Sequence, residues 1–119
     1  MKRDYRLYLI DIVEACEKIE KYVRNMSLDD FTEDTKTVDA VVRNFEIIGE
    51  VAKHIPSKMR ETYPNIPWKE MAGMRDKLSH DYFGVNVEVV WETIKKRLPE
   101  VESLIRTALE KMNQESGES

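Results

Sequence analysis

Apolar residues recur along this chain in alternating steps of three and four, the interval that gathers them on one side of an α-helix. Tyr5, Leu9, Ile12, Cys16, Ile19, Val23 and Met26 form the first stripe, and Asp11, Glu14, Glu17, Lys18, Glu20, Lys21 and Arg24 fall between them as a solvated face. The spacing predicts a helix ending near Asn25, after which Ser27 to Asp34, rich in capping and turn residues, predicts a break. A second helix starts near Asp34 or Thr35, buries Val38, Val41, Phe45, Ile48, Ala52 and Ile55, and stops at Pro56. Gly49 inside it costs roughly 1 kcal/mol against alanine, a cost that close packing or a ligand would explain.

Between Pro56 and Pro67 the segment Ser57 to Tyr63 predicts a short helix capped by Ser57, so the connection is compact. Pro67 is expected at the first position of the next helix, which continues through Trp68, Met71, Ala72, Met74 or Arg75, and Leu78. Gly84 is expected to end that segment, and Asn86 to cap a helix with Val87, Val90 or Trp91, Ile94 and Leu98 on its apolar side. Pro99 breaks or kinks the chain before a last helix through Val101, Leu104 or Ile105, Ala108 and Met112. No internal repeat and no useful alternation of period two interrupts this pattern. The expected fold is all-α: one antiparallel helical bundle over residues 1–112, with about five helices plus a short one before the Trp68 helix, and a polar, disordered tail at 113–119.

Composition narrows the picture. With 119 residues and 41% hydrophobic content, one domain with a modest core is expected. No stretch approaches the roughly 20 apolar residues of a membrane span, and the charged N-terminus lacks a signal peptide's apolar run, so a cytoplasmic protein is expected. Cys16 is the single cysteine, which rules out an intrachain disulfide, and its place in an apolar stripe predicts a buried, inert thiol. A formal charge of −4 excludes a protein that coats nucleic acid through a broad basic face, but leaves room for a small basic site. Lys95-Lys96-Arg97 could contribute to one or be solvated surface.

The chemistry is concentrated in Met74-Arg75-Asp76-Lys77-Leu78-Ser79-His80-Asp81-Tyr82-Phe83-Gly84. On a helix turning about 100° per residue, Asp76 and His80 lie one turn apart on one face, and Arg75 and Tyr82 nearly superimpose two turns apart. Arg75 and His80 diverge by roughly 140°, so either the helix ends near His80 or the two side chains reach a shared site from its flanks. Metal ligation is poorly provided for: His54 and His80 are the only histidines, and no cysteines cluster. No metal or other cofactor is expected. His54 is better read as a helix C-terminal residue near the negative end of the dipole. Ser79 beside His80 would make a poor nucleophile, because adjacent helical residues point about 100° apart and no oxyanion loop accompanies them.

General acid-base work on a phosphodiester suits the set better. His80 can move a proton near neutral pH, and Arg75 offers a charged fork to phosphate oxygens. In RNA the neighbouring 2′-hydroxyl can attack the phosphate if one group accepts its proton and another protonates the leaving oxygen. One motif histidine per chain is incomplete for that purpose; a two-fold dimer would bring two such histidines and two arginines into one cleft. The plainer alternative is that Arg75-Asp76 and His80-Asp81 are ion-paired surface and Tyr82-Phe83 pack the helix end.

The segment Arg75-Asp76-Lys77-Leu78-Ser79-His80-Asp81-Tyr82 resembles the motif of HepT-like toxins in the HEPN superfamily: arginine, four residues, histidine, any residue, tyrosine. The resemblance covers nearly the whole chain. Arg43-Asn44-Phe45-Glu46-Ile47-Ile48-Gly49-Glu50, Ile66-Pro67-Trp68, Met71-Ala72-Gly73-Met74-Arg75, Asp81-Tyr82-Phe83-Gly84-Val85, Val90-Trp91 and Leu98-Pro99 look like the family's landmarks in its order. It implies a metal-independent endoribonuclease, dimeric with the motifs facing each other, acting on RNA as the toxin of a two-gene toxin-antitoxin module. The antitoxin would be an MntA-like minimal nucleotidyltransferase. Carried onto this sequence, Arg75 and His80 are the catalytic pair, and Tyr82 is the position the partner would modify with AMP. Asp76 and Asn44 would support the site. Many family members carry asparagine where this chain has Asp76, an acceptor-only carboxylate when ionised. It could orient His80 and raise its pKa, or repel RNA phosphate and temper activity. The alternative function is a non-catalytic helical partner that binds and regulates a nucleotidyltransferase.

Overall fold

The computed structural model describes residues 4–79 and 86–115, with Arg75 and Ser79 as backbone only. Seven helices lie among the described residues: α1 (Tyr5–Tyr22), α2 (Leu28–Glu33), α3 (Thr35–Lys53), α4 (Ser57–Thr62), α5 (Trp68–Ser79), α6 (Val87–Lys96) and α7 (Leu98–Glu115). The all-α bundle expected from the apolar spacing is the fold observed.

The first stripe is buried as read: Leu9, Ile12, Cys16 and Ile19 are fully enclosed, while Tyr5 and Met26 are partly covered at its ends. Asn25 adopts φ 65°, the left-handed conformation that asparagine tolerates after a helix. Ser27 to Asp34 departs from the expected break. It contains α2, nucleated by a capping box in which the Asp30 amide donates to Ser27 Oγ at 3.1 Å and the Ser27 amide donates to Asp30 Oδ2 at 3.0 Å. Its one buried residue, Phe31, meets the Trp91 ring of α6 at 5.2 Å between centroids.

α3 carries Val41, Phe45, Ile48 and Ala52 into the core and packs on both α1 and α5. Two boundaries differ from expectation. Ser57 is the first residue of α4, not its cap; Pro56 holds the capping place and makes no side-chain bond there. Pro67 stands one residue before α5, its carbonyl accepting from the Met71 amide at 2.9 Å. Asn86 does cap α6, its side chain accepting from the Val89 amide at 3.2 Å. The chain turns at Arg97, so Pro99 sits in the first turn of α7, where a missing N–H costs nothing. α7 runs to Glu115, three residues past the expected helical end at Met112.

Polar contacts fix the helix directions. Arg6 near the start of α1 donates to Asn113 near the end of α7 at 3.4 Å, and farther along α1 Glu17 meets Arg106 at 2.8 Å, so the two helices run antiparallel. α3 and α5 are likewise antiparallel, since Ala52 and Lys53 at the end of α3 share a cavity with Pro67, Trp68 and Lys69 at the start of α5. Gly84 and residues 116–119 of the expected tail lie outside the described residues.

Candidate active site

The helix that carries the first part of the motif is set by Trp68, Met71 and Leu78, all buried against the bundle. Trp68 locks the first turn from both ends: its amide donates to Ile66 O at 2.8 Å and its indole Nε1 to Tyr63 O at 3.1 Å. α5 therefore leaves the α4 turn at a fixed angle and delivers the chain to Ser79. Arg75 occupies a backbone position four residues after Met71 and three before Leu78. Asp76 is exposed on the same helix. His80 and Tyr82, the other two motif positions, lie outside the described residues.

Antiparallel packing brings part of the remaining set alongside. Lys53 is level with the start of α5, and both helices rise about 1.5 Å per residue. The Arg75–Asp76 end of α5 is thus level with Phe45 and Glu46 of α3, within one turn of Asn44 and Gly49. Asn44 is 6% exposed, and its Nδ2 donates to the Ala40 carbonyl at 2.9 Å. At least one of its amide hydrogens thus serves its own helix, a packing role next to the supporting role that the sequence suggests. Gly49 is buried, as expected for a glycine that admits a close neighbour. On the flank of α3, Arg43, Glu46, Ile47, Glu50 and Val51 line a recess of about 390 Å³, with Arg43 3.7 Å from Glu46.

The other titratable groups sort away from chemistry. His54 is the C-cap of α3, and its Nδ1 lies 2.9 Å from the Glu50 carbonyl. A carbonyl only accepts, so Nδ1 carries the proton in that bond. Cys16 is fully enclosed, and burial, followed by the nearby Glu102 charge, pushes its thiol up to about 12; it is an inert core residue. Among the described residues no three histidine, cysteine or acidic side chains gather as a metal site, and no helix is long and apolar enough to cross a membrane.

Two groupings escape sequence reasoning. Across α1 and α7, Arg106 binds Glu17 at 2.8 Å and Glu102 at 2.9 Å, beside Glu20, whose carboxyl is pushed up to about 7 by partial desolvation and by the hydrogen bond and charge of Glu102. On α6, Lys95 sits over the Trp91 ring at 4.6 Å, so one member of the basic triplet is held by a cation–π contact. The first joins Arg106 to Glu17, 89 positions away, which spacing alone does not pair, whereas the second is a pair one turn apart on a single helix.

The family model described as "Ribonuclease HepT-like" matches residues 12–108, which includes all of α5 and the motif. A probable ribonuclease HepT of Thermococcus cleftensis is 52% identical over 83% of this chain and 90% of its own length. A putative RNase of Caldanaerobacter subterraneus subsp. tengcongensis is 47% identical over 89% of this chain and 95% of its own. A putative RNase of Methanocaldococcus jannaschii is 49% identical over 84% of this chain and 83% of its own. No solved structure matches the chain.

Proposed function

The chain belongs to the ribonuclease HepT-like family, and we propose that it is an endoribonuclease whose catalytic pair is Arg75 and His80. The observation that carries this reading is the arginine–histidine–tyrosine spacing in the sequence, with Arg75 on the helix anchored by Trp68, within the span that the family model matches.

His80 accepts the proton of the RNA 2′-hydroxyl as that oxygen attacks the adjacent phosphorus. Arg75 offers parallel N–H donors to the phosphoryl oxygens, where negative charge grows in the transition state. The P–O bond to the 5′ oxygen breaks and that oxygen must take up a proton. A second His80, from the other protomer of a two-fold dimer, supplies it. The products are a cyclic phosphate end and a free 5′-hydroxyl, and no metal takes part.

Tyr82 is the switch. A nucleotidyltransferase of the MntA type would join AMP to its phenolic oxygen, putting bulk and negative charge beside Arg75, where RNA phosphate must sit. In this scheme the chain is the toxin and the transferase its antidote. Asp76, four positions before His80 in the sequence, is a supporting residue of the site in this scheme.

The test is product chemistry. Wild-type protein incubated with single-stranded RNA and a chelator should leave cyclic phosphate ends, and a mass increase of AMP on Tyr82 after coexpression with the transferase should remove that activity. Cleavage that requires an added metal, or that leaves a 3′-hydroxyl, would overturn the mechanism.

A further inference from the structure

A cavity of about 780 Å³ opens where α3 ends, α4 crosses and α5 begins. Its walls carry Lys53, Arg60 and Lys69, all exposed, over a floor that includes Pro67, Trp68 and Ala72. Three cations in one concavity are unusual in a chain with a formal charge of −4. They belong to three different helices, so the spacing of charges along the sequence does not announce them.

The one acid on the wall is already engaged. Both Glu70 carboxylate oxygens are held by Arg97, Oε1 by Nε at 3.0 Å and Oε2 by Nη2. Arg60 is oriented, its Nη2 donating to the Lys53 carbonyl at 3.3 Å, which leaves its other N–H groups available. Lys53 and Lys69 form no ion pair among the described residues. The cavity therefore presents net positive charge, in a volume within the range of nucleotide-sized ligand sites.

Its position gives it a purpose. Lys69 precedes Arg75 by half the length of α5, about 9 Å along the helix axis at 1.5 Å per residue. An RNA strand at roughly 3.4 Å per stacked nucleotide covers that distance in about three nucleotides.

We propose that the α3–α4–α5 cavity is a binding subsite for a nucleotide of the RNA strand flanking the cleavage point, with Lys53, Arg60 and Lys69 holding the phosphates on either side of it. This rests on the ribonuclease reading above and extends it: the motif performs the reaction, while this cavity sets affinity and the minimum length of substrate. The three residues touch no reacting atom, so their removal raises KM and leaves kcat in place.

The experiment compares wild type, Lys53→Gln/Lys69→Gln and Lys53→Arg/Lys69→Arg. Each is titrated with a fluorescently labelled single-stranded oligoribonucleotide over a range of salt concentrations, and each is assayed on that oligonucleotide and on a dinucleotide too short to reach the cavity. The glutamine variant should bind the oligonucleotide several-fold more weakly, with a salt slope shallower by about 1.4, the value for two lost single-strand phosphate contacts. Its kcat and its dinucleotide cleavage should match wild type, and the arginine variant should restore affinity. An unchanged salt slope in the glutamine variant overturns the subsite, as does equal loss on the dinucleotide. If wild type binds the oligonucleotide without cutting it, the ribonuclease mechanism falls, and the binding titrations still decide the subsite. AMP or ATP binding as tightly as the oligonucleotide, with the same lysine dependence, would assign the cavity to a free nucleotide and overturn an RNA subsite.

Discussion

Arg97, at the turn between α6 and α7, grips the Glu70 carboxylate in the first turn of α5 through two N–H groups. Glu100 lies 3.3 Å from the same guanidinium, and both acids raise its pKa above the usual arginine value, Glu70 chiefly by its hydrogen bond. This clasp ties the motif helix to the C-terminal half of the bundle, and it removes the charge of Glu70 from the neighbouring cavity.

Arg97→Ala should therefore do two things. Because the pair is exposed, the melting temperature should fall only slightly, and less at high salt. RNA affinity should fall more than stability, because Glu70 then faces the cavity uncompensated. Paired thermal melts and RNA titrations check this, and Glu70→Gln in the Arg97→Ala background should recover the affinity.

Gly73 sits exposed in the middle of α5, and a Cβ built there meets nothing within 4 Å. Gly73→Ala should stabilise the isolated protein by about 0.5–1 kcal/mol, because it lowers the entropy of the unfolded chain without a clash. Urea denaturation measures it. If RNA cleavage falls in the same variant, the bare helix surface is one that substrate or a second protomer approaches closely.

Phe31 is fully enclosed and packs at a tilt on Trp91, so Phe31→Ala should cost about 3–5 kcal/mol. A loss under 1 kcal/mol by urea denaturation would show that α2 contributes little to the core. The residue illustrates what the sequence conveys and what it withholds. Long stripes such as Leu9, Ile12, Cys16 and Ile19, or Val41, Phe45 and Ile48, repeat often enough to declare both helix and buried face. α2 has one turn and a half with a single inward side chain, too short for periodicity, and only the Ser27–Asp30 pair marks it. Likewise, the motif positions are legible because they lie within eight residues, whereas Lys53, Arg60 and Lys69 converge through the α4 turn. The expected helix start at Pro67 misses by one residue because its carbonyl, not its ring, serves the first turn.

Glu20 gives stability a pH dependence. Its carboxyl is raised from 4.5 to about 7 by partial desolvation and by Glu102, with Glu17 adding to the effect and Arg106 opposing it. Between those values the folded state holds a proton that the unfolded state has released, so stability declines as pH rises from about 4.5 to about 7 and this contribution is level above that window. Glu20→Gln should melt higher than wild type at alkaline pH, with the difference closing as pH falls toward 4.5. A constant difference across the range would contradict a shared proton at the α1–α7 contact.

The most direct test of the central claim is single-turnover cleavage of one RNA by wild type and His80→Ala, with RNA affinity and thermal stability measured on the same preparations. If His80 carries the proton transfer, cleavage falls by a factor of about 10² or more while affinity and melting temperature hold. Cleavage by His80→Ala at the wild-type rate would contradict the assignment and move the chemistry away from the end of α5.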